Sequence, residues 1–118
     1  MDLENIVRTE FEKRNMKIDI VYKICNLYSE GRDVNTLPVN DMIEIISDIK
    51  IICMKHEYYS NLQNEMFNCN NKQQFKNIMK SNGNYHELYK NVYNHFNSNE
   101  YKQHIKTGIM MLGRFVSP

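Results

Sequence analysis

The chain has 118 residues, 42 % of them hydrophobic and 25 % charged, with a formal net charge of +1. That balance suits one folded domain with a modest core and excludes a disordered polyelectrolyte. No apolar run approaches the roughly 18 residues of a membrane span. Residues 1–15 are too charged for a secretory leader, so an intracellular location, cytoplasm or nucleus, is expected. Three cysteines with no CxxC pair fit a reducing compartment. Alanine is absent while Asn, Ile, Lys and Tyr are heavily used. That bias implies an AT-rich genome, such as that of a large DNA virus, a parasite or a low-GC bacterium.

In chain order, residues 2–14 place Leu3, Ile6, Val7 and Phe11 at helical spacing, with Asp2 as cap. Residues 17–30 repeat the pattern with Ile20, Val21, Ile24, Leu27 and Tyr28, and end at Gly31, a natural C′ residue. The joint at Asn15 allows either two helices or one kinked helix. Residues 31–39 form a loop around Pro38, with Leu37 and Val39 pinning it to the core.

The stretch Asn40 to Phe67 has no Gly or Pro and predicts one long helix over about 41–67, with Asn40 as N-cap and Asp41 in the first turn. One apolar stripe runs through Met42, Ile45, Ile49, Ile52, His56, Tyr59 and Met66, broken only by Gln63 and widened by Ile46 and Cys53. A second, on the opposite side, runs through Ile43, Ile51, Met54, Tyr58 and Leu62. Only Glu44, Asp48, Lys50 and Lys55 interrupt the apolar character of its first half. Such a helix would be roughly 40 Å long, more than a domain of this size is wide. It must bend, break, project or be covered by a second copy, and Tyr58 to Phe67 is where a bend or a partner is expected.

Asn68-Cys69-Asn70-Asn71 is the next break, with Cys69 expected exposed. A short helix over about Lys72 to Ser81 buries Phe75, Ile78 and Met79, and residues 81–84 form a turn. Residues 85–96 put Tyr85, Leu88, Tyr89, Val92, Tyr93 and Phe96 on one face. A last helix, capped by Ser98 or Asn99, runs to about Phe115 with Tyr101, Ile105, Ile109, Leu112 and Phe115 inward. No alternating run reads as a strand. The expected fold is an all-α compact bundle of five to six helices around the long one, in a single domain over 1–118.

Catalytic motifs are missing. The glycines are scattered, so no phosphate cradle forms, and His56-Glu57-Tyr58-Tyr59-Ser60 lacks the second histidine of a zinc-protease helix. Cys53 and His56 share a helix face, with Cys69 or His86 as remote complements, but the second close ligand pair of a zinc site is absent. His86, His95 and His104 recur every nine residues, a spacing that separates them around a helix. No carboxylate pair suggests acid–base work. No catalytic residue, cofactor or metal site is therefore expected.

Residues 1–58 hold eleven acids against eight bases, and residues 59–118 three acids against seven bases. The basic, Tyr-rich second half, with Lys72, Lys76, Lys80, Lys90, Lys102 and Lys106, suggests nucleic-acid binding as the alternative function. The leading expectation is a non-enzymatic protein-interaction module that forms a homo-oligomer. Its partner or dimer surface is expected at Tyr58, Leu62 and Met66, and at Met110, Met111 and Phe115 of the adaptable C-terminal stretch.

Overall fold

A computed structural model describes the backbone of residues 3–98, 101, 102 and 105, and the side chains of that set from Arg8 onward. Its helices are α1 (Leu3–Lys13), α2 (Asp19–Ser29), α3 (Val39–Met54), α4 (His56–Tyr59), α5 (Gln63–Phe67), α6 (Lys72–Lys80) and α7 (Tyr85–Phe96). Among the described residues there is no strand, and the expected all-α bundle is what forms. No described helix is long and apolar enough to cross a membrane.

The joint at residue 15 separates two helices. Asn15 adopts φ 57°, the Met16 amide donates to the Phe11 carbonyl at 2.8 Å, and the Asn15 amide donates to that of Glu12 at 3.0 Å. This is the two-bond closure of a Schellman motif, with Asn in the left-handed position where it is tolerated. α2 ends similarly, but the left-handed turn starts one residue before Gly31. Glu30 itself takes φ 54°, followed by Gly31 at φ 81°, and the Gly31 amide reaches the Asn26 carbonyl at 3.1 Å.

α3 starts at Val39 rather than after Asn40, because the carbonyl of Pro38 already receives the amides of Asp41 and Met42. It is the centre of the molecule. Ile43, Ile45, Ile46, Ile49, Ile51 and Ile52 have no exposed surface, so both apolar stripes are covered over this length. α3 packs chiefly on α7 and next on α2, while α6 joins α2, α5 and α7.

The long helix does not continue to Phe67. Lys55 takes φ −118° and ψ 39°, which ends α3. The chain then advances as α4, a 3₁₀ turn over Ser60–Leu62, and α5. The molecule measures 33 × 30 × 28 Å, too small for a straight rod of that length. The interruption lets the first stripe keep its burial, since Tyr59 and Met66 both return to zero exposure. Gln63, the polar break in that stripe, holds the turned segment. Its Oε1 accepts the Lys17 amide at 2.8 Å, and its Nε2 donates to the carbonyls of Asn15 and Ser60, each at 3.1 Å.

Asn71 caps α6 by accepting the Gln74 amide at 2.9 Å, while Gln74 Oε1 accepts the amide of Asn70 at 2.8 Å. α7 has the predicted range and face: Tyr85, Val92 and Phe96 are buried and Leu88, Tyr89 and Tyr93 half-buried. Of the expected last helix, Tyr101 is half-buried and Ile105 fully buried. Ile109, Leu112 and Phe115 lie outside the described residues.

Candidate functional site

The most concentrated polar chemistry surrounds Asp48, whose side chain has no exposed surface. α3 carries it to where α2, α6 and α7 converge. Its Oδ2 accepts the Tyr28 hydroxyl at 2.6 Å and the Lys76 ammonium at 2.5 Å, and its Oδ1 accepts the Tyr85 hydroxyl at 2.7 Å. Lys76 also donates to the Tyr85 oxygen at 2.9 Å and pairs with Glu44 at 3.3 Å. Glu44 in turn accepts Lys72 at 2.9 Å. The Lys76 ammonium lies 4.6 Å from the centre of the Tyr89 ring and 5.3 Å from that of Tyr28. Four helices thus meet in one hydrogen-bonded group.

Burial is the first cause that pushes the Tyr28 and Tyr85 phenols far above their ordinary range, with the Asp48 carboxylate second. Both therefore serve as hydroxyl donors. Every carboxylate oxygen of Asp48 has a strong donor, so the group behaves as an internal tie. The sequence presented Asp48 only as a flaw in an apolar helix; its partners lie 20, 28 and 37 residues away, beyond any local pattern.

The expected cation set divides. Lys76 is consumed by Asp48 and is 12 % exposed, and Lys72 pairs with Glu44. Lys80 and Lys90 are exposed, Lys102 is half-buried, and Lys106 lies outside the described residues. His86 and His95 are exposed on α7, and His95 stacks on Tyr101 at 4.6 Å; His104 lies outside the described residues.

Among the described residues no three His, Cys, Asp or Glu side chains converge as metal ligands. Burial pushes the Cys25 and Cys53 thiols up to about 11 and raises that of Cys69, which disfavours the thiolate a metal needs. Cys69, expected exposed, is 5 % exposed. The turn after α5 folds it inward, where its thiol donates to the Glu65 carbonyl at 3.3 Å.

The expected partner surface also divides. Met66 has no exposed surface and belongs to the core, Leu62 is half-buried, and Tyr58 is 38 % exposed. Met54, on the same stripe, is 46 % exposed. Met110, Met111 and Phe115 lie outside the described residues. The second stripe therefore surfaces where α3 stops, with Met54 and Tyr58 on either side of Lys55. The Tyr58 hydroxyl meets Ser81 Oγ at 2.6 Å, and that serine donates to the Ile78 carbonyl at 2.5 Å. Ser81 has one proton, so Tyr58 is the donor. The Tyr58 ring stacks edge-on against buried Tyr59, centroids 5.1 Å apart.

An open hollow of about 650 Å³ lies between the end of α2 and the start of α6, lined by Asn26, Leu27, Glu30, Gly31, Asn70, Asn71, Lys72 and Gln73. Comparison with protein-family models, curated proteins and solved structures finds no match.

Proposed function

We propose that the chain is a non-enzymatic, intracellular protein-interaction module that self-associates through the surface at the α3–α4 break. The observation that carries this reading is the emergence of Met54, at the end of α3, and Tyr58, in α4, beside a core that covers the isoleucines of α3. Isolated exposed apolar side chains are ordinary, but these two belong to one apolar stripe of the sequence and flank the break between α3 and α4 at Lys55. Leu62 continues the stripe, and Met110, Met111 and Phe115 are its proposed extension. The anchor that fits such a surface is a partner's apolar helix face. An AT-rich genome, if viral, would make a host protein a further partner.

Sedimentation velocity over a range of concentrations is the test. The expected result is reversible dimerisation that Met54→Glu abolishes while the helical circular dichroism stays intact. A strict monomer at all concentrations would remove self-association. Nucleic-acid binding ranks second because Glu44 and Asp48 already neutralise Lys72 and Lys76, two of its six cations. A fluorescence titration at low salt tests it, and salt-sensitive binding lost on Lys80→Glu with Lys90→Glu would reverse the ranking.

A further inference from the structure

The turn joining α6 to α7 reads Ser81-Asn82-Gly83-Asn84, and Asn82 is the only one of seventeen asparagines followed by glycine. We propose that Asn82–Gly83 is a self-modification site, at which the turn closes a succinimide ring and matures to an aspartyl or isoaspartyl linkage.

The reaction needs no cofactor, because both reacting groups belong to adjacent residues of the chain. The nucleophile is the main-chain nitrogen of Gly83. The turn's hydrogen bonds are donated by the amides of Ser81, Asn82, Asn84 and Tyr85, none by Gly83, which is exposed. Glycine has no Cβ to hinder ring closure. The electrophile is Cγ of Asn82, the carbonyl carbon of its amide group. The attached Oδ1 accepts the Asn84 amide at 3.0 Å, which polarises the carbonyl and stabilises the negative charge that develops on that oxygen.

Hydroxide or water takes the Gly83 amide proton. The nitrogen then bonds to Cγ of Asn82, and the bond between Cγ and Nδ2 breaks. Ammonia leaves with the proton it needs. One water then adds to either ring carbonyl and breaks that carbon's bond to the ring nitrogen. Opening on one side restores the ordinary main chain with a carboxylate; opening on the other routes the main chain through the side chain and adds a methylene to it. Both products place a new negative charge beside Ser81, the acceptor of Tyr58. An effect on partner binding rests on the interaction face proposed above; the modification itself does not.

The experiment incubates the folded full-length protein at mildly alkaline pH and follows the tryptic peptide 81–90 by mass spectrometry with isoaspartyl detection. The expected result is a time-dependent amide-to-acid mass gain confined to that peptide, in two chromatographic forms, faster at higher pH. Gly83→Ala is expected to lose the gain over the same incubation while folding normally. Gly83 does not have a positive φ, and a Cβ there would meet nothing within 4 Å. The proposal is overturned if the folded protein shows no gain where the urea-unfolded protein does, or if Gly83→Ala converts as fast as the parent.

Discussion

A carboxylate with no exposed surface loses its hydration on folding, and Asp48 recovers the loss through two phenols and an ammonium. Removing it leaves the sheltered Lys76 ammonium with only the longer pairing to Glu44 and the Tyr85 oxygen. Asp48→Ala should therefore cost about 3–5 kcal/mol, as expected for breaking a buried ion pair from one side. Urea denaturation measures this, and a loss below about 1 kcal/mol would show that the tie contributes little. Tyr28→Phe keeps the ring on Phe75 and Lys72 but deletes one donor, an expected loss of about 1–3 kcal/mol. The phenols of Tyr28, Tyr59, Tyr85 and Tyr89 are all raised, first by burial. Each binds its proton more tightly folded than unfolded. Their contribution is whole below about pH 10, the unfolded value, and falls as pH rises above it. Stability measured across that range should drop steeply, and less steeply in Tyr28→Phe. The buried thiols should resist iodoacetamide at neutral pH until denaturant is added; prompt labelling of Cys53 in the folded protein would contradict its burial.

Most of the helices were legible because each depends on neighbours three or four residues away. α2, α6 and α7 follow from one-sided apolar faces, and α6 is closed by a local cap at Asn71. The end of α3 was not legible. Met54, Lys55 and His56 contain no helix breaker, and nothing in that tripeptide specifies a φ of −118°. The break is set by the limited width of the bundle and by Gln63 reaching back 46 and 48 residues to the turn after α1. Of the expected surface, Tyr58 lies outside and Met66 inside because they belong to different stripes: the first regains its burial after the break, and the second surfaces on either side of Lys55. Gln63→Ala removes three hydrogen bonds of a half-exposed side chain and should cost about 1 kcal/mol in all. Hydrogen exchange should show the Lys17 amide losing protection; unchanged exchange there would mean that the segment is held by packing alone.

The charge asymmetry between the two halves of the sequence has a partly internal explanation. Glu44 and Asp48 come from the acidic half, Lys72 and Lys76 from the basic half, and the fold brings them together. Raising the salt concentration should weaken the more exposed Lys72–Glu44 pair before the sheltered Lys76–Asp48 pair. A Lys72→Ala variant should therefore lose less than about 1 kcal/mol, whereas Lys76→Met, which leaves a buried carboxylate without its cation, should lose several times more. Comparing the two by thermal melts checks the assignment of roles.

The tie at Asp48 also orders events in time. The donors of this carboxylate come from residues 28, 76 and 85, so three of the four helices involved must be synthesised before the third donor appears. While the nascent polypeptide ends short of Tyr85, α3 carries a charge that its apolar neighbours cannot shelter, and the isoleucines around it lack their cover from α7. That interval on the ribosome is when this sequence is most exposed to aggregation, and it closes when α7 emerges.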